Sequence, residues 1–296
     1  MPHYQTRRRV QMLAQHGPPK TVNYSGDGLV GVDRLAYSGS RSFKAEIIQR
    51  LKEYHLKGAA PYVVFSHVTQ HEFEDINDIR DKFFKGLRFM YIHSESILII
   101  RLGLSAVHEL THRGFVLCFE VKFFEMDLDT ELVPMGATGF SGPGSQKEPD
   151  SAFKPASRRF ANDWPTLVIE CGDTQFLARL QADANWWLEN SVGNVKTVIV
   201  ISYSLPEKNF HLETWELSDT PDPSNRSVFP PTITQEADII GDQAHISAKG
   251  VTQTTFMIDF TKVMLRKPVV RRGEHNFIFA KEDLVNFAGR VRRSSQ

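Results

Sequence analysis

A chain of 296 residues with 41% hydrophobic and 24% charged residues has the composition of a folded protein with ample core, which excludes a fibrous or low-complexity chain. Lys+Arg and Asp+Glu balance at 35 each, so overall charge selects no polyanionic partner. The two cysteines, Cys118 and Cys171, exclude a disulfide framework and a cysteine-based zinc site, and they fit a reducing, intracellular compartment.

The first 26 residues carry Arg7, Arg8, Arg9 and Lys20 and no acid. Residues 1–40 are polar and rich in Gly and Ser, and they are read as a flexible basic tail. This start lacks the apolar core of a secretion signal. No apolar run reaches the roughly 18–20 residues that cross a bilayer, so no membrane partner is expected. A cytoplasmic or nuclear location follows, with a mitochondrial transit segment as the alternative that an acid-free basic start allows.

"SFKAEIIQRLKEYHLKG" predicts a helix with Phe43, Ile47, Leu51 and Tyr54 as its stripe and Gly58 as its stop. "APYVVFSHV" is a strand-type run. A second helix is expected from about Glu72 to Gly86, burying Phe73, Ile76, Ile79, Phe83 and Phe84. "SILIIRL" and "FVLCFEVKFF" read as strands, with "AVHELTHRGF" as a short connector between them. Gly136–Asp150 has the composition of a flexible loop.

"WPTLVIE" is a buried strand opened by Pro165, and "FLARLQADANWWLENS" is a helix with Leu177, Leu180, Ala184, Trp187 and Leu188 inward. "VKTVIVISYS" is a second buried strand. A strand, a helix and a strand without a hairpin turn predict a right-handed parallel crossover and a helix-covered mixed sheet. "NFHLETWE" adds a strand. Residues 218–250, with four prolines, read as a long loop or insertion, and residues 251–296 as a strand and a closing helix on the core. The core is thus expected over residues 41–217.

The candidate chemistry lies in two carboxylates. Asp150 sits in "KEPDSAFKP", and Glu170, twenty residues on, ends the apolar run "TLVI", where a buried charge lacks a structural reason. Ends of parallel strands are where open sheets hold ligands. Asp150 taken alone is equally an ordinary turn residue.

These blocks, Pro149–Pro155, Trp164–Gly172 and Asp183–Lys196, resemble the restriction-endonuclease-like superfamily with its PD-(D/E)xK signature. They look closest to fungal proteins sharing "PDSSFKP", "WPTLVIEVG" and "DARWWLENS". The resemblance implies an α/β fold with a restriction-endonuclease-like core, a mixed β-sheet flanked by helices. It implies phosphodiester hydrolysis on nucleic acid, DNA or RNA, with Mg²⁺ or Mn²⁺ held by Asp150, Glu170 and the backbone carbonyl of Cys171. Such an ion polarises the phosphodiester and lowers the pKa of an attacking water. Glu72, in "TQHEF", would assist from the first core helix, although a first-turn helix acid is its plainer role.

The signature also calls for a lysine two residues after Glu170, where this chain has Gly172. Lys196 is the favoured substitute, with Lys154 and Arg179 as the others. Arg179 is equally placed for an i,i+4 ion pair with Asp183. Without such a cation, the alternative is a non-catalytic module that binds nucleic acid or protein on the same fold. Trp186 and Trp187 are expected in the core rather than as a base-stacking platform.

A remote alternative is a zinc metallopeptidase, because "HELTH" places His108, Glu109 and His112 in H-E-x-x-H spacing. A connector of about two turns is short for that role, and Glu125 or Glu131 would have to supply the third ligand. Ser141 lacks the full G-x-S-x-G elbow of a hydrolase.

Overall fold

A computed structural model describes residues 24–102, 105–204, 206–222, 225 and 228–294. Its first elements are β1 (Arg34–Ala36), α1 (Ser40–Lys57), β2 (Tyr62–Ser66), α2 (Gln70–Phe83), β3 (Arg88–Ile92), β4 (Ile97–Arg101) and α3 (Ala106–Phe124). Next come β5 (Leu132–Pro134), β6 (Phe140–Gly142), β7 (Ser145–Lys147), β8 (Ser151–Pro155), β9 (Leu167–Asp173), α4 (Leu177–Asn190) and β10 (Thr197–Ser204). The chain continues with β11 (Asn209–Leu217), β12 (Pro231–Ile240), β13 (Gln243–Ala248), β14 (Val251–Gln253) and β15 (Thr255–Ile258). It closes with α5 (Phe260–Met264), β16 (Phe277–Ala280) and α6 (Lys281–Ser294).

The strands form an eight-stranded sheet, β14-β13-β12-β11-β10-β9-β8-β5, a six-stranded sheet, β1-β2-β4-β3-β7-β6, and the β15-β16 pair. Both larger sheets are mixed. β9 and β10 run parallel with α4 as their crossover, as the strand-helix-strand pattern predicts. The fold is therefore α/β, with mixed sheets flanked by helices.

Three apolar clusters hold these layers together. One lies between the large sheet and α3, α5 and α6, with Phe119, Ile169, Ile199 and Phe287 at its centre. The second fills the space among the large sheet, α4 and the inner face of the small sheet, and includes Val168, Trp186, Trp187 and Ile99. The third packs α1 and α2 on the small sheet's outer face through Phe43, Ile47, Phe73 and Ile76. In β9, Leu167, Ile169 and Cys171 thus face α3, while Val168 and Glu170 face α4.

Several stretches fold differently from their sequence reading. "FVLCFEVKFF" is the second half of α3, a 19-residue helix, and not a strand. Phe115, Phe119 and Phe123 recur every four residues and fill one face, whereas Leu117, Val121 and Phe124 leave the other face apolar and exposed, which hides the helical period. β12 and β13 occupy much of the stretch read as a loop, because Thr, Ile and Ala alternate there with polar residues at strand spacing. Within Gly136–Asp150, β6 and β7 extend the small sheet.

The supposed tail splits. Residues 1–23 lie outside the described residues, while Tyr24, Leu29 and Val32 are buried and β1 pairs with β2. Gly28, at φ +69°, sits so close to α4 that a Cβ there would lie 2.2 Å from the Arg179 backbone nitrogen. Among the described residues, no helix is long and apolar enough to cross a membrane.

Candidate functional site

Residues 145–155 carry the chain from the small sheet, through β7, into the large sheet, through β8. Asp150 lies at this crossing and is 4% exposed. One carboxylate oxygen accepts the Cys171 backbone N–H at 2.9 Å. The other accepts the Arg101 guanidinium, which reaches across from the end of β4.

Arg101 also donates to the Cys171 carbonyl at 3.1 Å and to His108 Nε2 at 3.2 Å. Burial alone would raise the Asp150 pKa, but the charge on Arg101 and the contact with His108 overcome it and hold Asp150 well below the usual carboxylate range.

Glu170 anchors the other half of the network. Its carboxylate accepts Trp187 Nε1 at 2.6 Å and pairs with Lys147 Nζ at 3.0 Å. Lys147 also lies 3.3 Å from Asp183, which Arg179 meets at 2.7 Å. Burial pushes Glu170 up to about 7, with Lys147 opposing it and the charges of Asp150 and Asp183 adding to it. Burial would lower Lys147, yet Asp183 and Glu170 raise it. Three cations (Arg101, Lys147, Arg179) thus face three carboxylates (Asp150, Glu170, Asp183), all at most 9% exposed. Five of them, all but Asp150, line a recess of about 20 Å³ together with Tyr62 and Arg88, room for a water and not for a phosphodiester.

Asp150 and the Cys171 backbone meet at Arg101, and Arg179 joins the network through Asp183, whereas Glu72, Lys196 and Lys154 stand apart from it. Glu72 closes a capping box at the start of α2, accepting from Thr69 N–H and its hydroxyl, the plainer of its two roles. Lys196 precedes β10 at the wrong end: Thr197 pairs with Leu167, whereas Glu170 pairs with Val200. Its ammonium donates to the Gly193 carbonyl at 2.5 Å. Lys154, paired with Val133, donates to the Phe160 carbonyl at 2.5 Å. Arg179 makes the i,i+4 pair with Asp183 that its spacing allows. Trp186 and Trp187 are fully buried core residues.

Arg101 and Lys147 were missed. Arg101 ends the apolar strand "ILIIR", the same signal that singles out Glu170. Lys147 lay in a stretch whose Gly/Ser content masked a strand. A side chain at Gly172 would meet Leu180 at 3.3 Å, so the signature lysine position is packed by α4, and Lys147 brings the cation from the other sheet.

The nominated metal ligands do not fit a divalent cation as they stand. The Asp150 carboxylate and the Cys171 carbonyl, two of the three donors, are both bound by one guanidinium. A divalent ion would meet that fixed positive charge directly.

The histidine pair meets the same obstacle. His108 and His112 lie one turn apart on a helix long enough for a zinc motif, which overturns the short-connector reading. Ligand atoms of His108, Glu109 and His112 come within 4.8 Å of one another. His108 Nε2, however, accepts from Arg101, and His112 Nε2 bonds Ser151 Oγ at 2.8 Å. Burial drives His112 down to about 4, so it is neutral at ordinary pH. Glu131, a nominated third ligand, instead pairs with Arg266 and Arg272.

No family model matches the chain, and no curated protein matches it in sequence. Among solved structures, the fold is similar to a protein from Anabaena variabilis ATCC 29413 described as a "putative nuclease belonging to DUF820". The similarity has a TM-score of 0.37 at 11% identity and covers 68% of this chain and 90% of that one.

Proposed function

We propose that this chain is a nuclease-like protein that works by binding and not by phosphodiester cleavage. One observation carries the reading: the Arg101 guanidinium bridges the Asp150 carboxylate and the Cys171 carbonyl, the donors that a catalytic Mg²⁺ or Mn²⁺ would need. The burial of all six residues and the water-sized recess beside Glu170 and Lys147 support it. Nucleic acid is the partner class that the sequence resemblance nominates. The basic C-terminal run adds little to that surface. Arg266 and Arg272 pair with Glu131 and Glu274, and Arg292 donates to the Lys208 and Gly241 carbonyls.

Cleavage is the second reading, and Lys147 favours it by standing beside Glu170 where the signature lysine would act. It requires Arg101 to leave Asp150. Incubating the protein with single- and double-stranded DNA and RNA under Mg²⁺ or Mn²⁺, beside gel-shift measurements in EDTA, separates the two readings. The expected result is no cleavage above background, with any gel shift indifferent to metal. Metal-dependent cleavage that disappears in both Asp150→Asn and Glu170→Gln overturns the proposal.

A further inference from the structure

A second polar cluster lies away from this centre, on the α4-facing side of the β11-β12 ladder. In the antiparallel register His211 stands opposite Asp238, and Glu213 stands opposite Glu236. Paired positions project from the same face, so one imidazole and three carboxylates share a small patch. Donor atoms of His211, Glu213 and Glu236 all lie within 4.8 Å of one another.

The arrangement is ordered rather than merely acidic. Asp238 meets His211 Nδ1 at 2.8 Å, which leaves Nε2 directed at Glu213, 3.1 Å away. A carboxylate that bonds one imidazole nitrogen and so aims the other is the usual outer support of a metal-bound histidine. Glu213 is itself held: Gln181 of α4 donates to it at 2.8 Å and Trp215 Nε1 at 2.6 Å, and it is only 2% exposed.

Two features are left unbalanced. Directly opposed carboxylates at Glu213 and Glu236 repel, and the Glu236 carboxylate has no hydrogen bond or salt bridge among the described residues. Ser202 is fully buried, faces His211 across the β10-β11 register, and its hydroxyl has no hydrogen-bond partner. Against three carboxylates the cluster itself offers one imidazolium at most. A dication bound by the neutral imidazole would offset two of the three negative charges.

We propose that His211, Glu213 and Glu236 bind a divalent transition-metal ion, zinc by preference, with Asp238 orienting the imidazole from outside. One imidazole with two carboxylates is a ligand set that zinc accepts, and the fourth place falls to water. Donors sharing a zinc ion at about 2.1 Å stand roughly 3.4 Å apart in tetrahedral geometry, close to the His211–Glu213 separation of 3.1 Å. The half-buried Glu236 closes the set by rotating its side chain. His211 and Glu236 both reach solvent, which provides an entry path.

The proposal stands whether or not the Asp150 centre cuts nucleic acid. Zinc titration of the full chain, by calorimetry and by competition with a chromophoric chelator, tests it. One ion per chain is expected, bound about 10-fold or more weakly in His211→Gln and in Glu236→Gln, and unchanged in His112→Gln. Glu236→Gln keeps the test sound, because removing a repelled, unpaired carboxylate should leave the metal-free fold intact or slightly raise its Tm. No zinc binding by the wild type overturns the proposal, as does undiminished binding in both cluster variants. Loss of binding in His112→Gln alone also overturns it, placing the ion at the α3 histidines instead.

Discussion

The centre around Asp150 and the cluster around His211 are built from similar residue types yet stand in opposite electrostatic conditions. At Asp150 the carboxylates are buried against Arg101, Lys147 and Arg179, so positive charge comes from the protein itself and the neighbouring recess is only water-sized. At His211 three carboxylates share one imidazole, the patch reaches solvent, and no lysine or arginine pairs with it among the described residues. The proposed metal at His211 answers carboxylates to which the fold offers no lysine or arginine among the described residues, unlike those at Asp150. The presence of acids decides less than the source of the charge that answers them.

Removing the internal cation should have the largest effect. Arg101→Met leaves Asp150 buried without its fixed positive charge, held only by the Cys171 N–H and the nearby His108, and a loss of about 3–5 kcal/mol is expected in urea unfolding. Adding Asp150→Asn to that variant should recover much of it. A loss below about 1 kcal/mol would mean that the pair is not as desolvated as its burial implies.

Lys147→Met comes next. Glu170 already titrates near 7 because of burial, so it can take up a proton when its partner is removed. The cost should be about 1–3 kcal/mol, greater at pH 8 than at pH 6. Equal costs at both pH values would argue against Glu170 as the responding group.

The His211 cluster predicts a pH slope of its own. Its hydrogen bond to Glu213, opposed by burial and aided by Asp238, raises His211 to about 9. A raised histidine pKa gives stability that is complete below the unfolded value of about 6.5 and is lost as pH rises through 9. Metal-free Tm should therefore fall from pH 6.5 to 9.5, and His211→Gln should flatten that fall. An unchanged slope in the variant would assign the titration to another group.

The smallest effect is expected outside both regions. Glu72→Ala should cost about 0.5–1 kcal/mol through the lost capping box, while Glu72→Gln, which can still accept from Thr69, should be close to neutral. Neither should alter zinc affinity, and a change there would reopen a role for Glu72 beyond the cap.

Legibility followed the range of the signal. Glu170 stood out because a carboxylate ending an apolar strand is conspicuous, and Arg101 carried the same mark at the end of "ILIIR". The parallel crossover was legible from three consecutive segments. α3 was not, because an apolar run on both faces of a helix blurs the 3.6-residue period into something strand-like. β12 and β13 were hidden by their polar content, since polar residues prevail on a half-exposed sheet.

By itself the sequence determined the α/β class, the crossover around Asp183 and the burial of Trp186 and Trp187, because periodicity and propensity act over one or two turns or strands. Arg179 and Asp183 could be paired from their i,i+4 spacing, but only the tertiary structure decided which cations answer Asp150 and Glu170. Arg101 reaches Asp150 from 49 residues away, and His211 meets Asp238 from 27. Such pairings depend on how two sheets stack and how strands register. Charge balance in a low-dielectric interior is set by that non-local geometry and by no short stretch of residues.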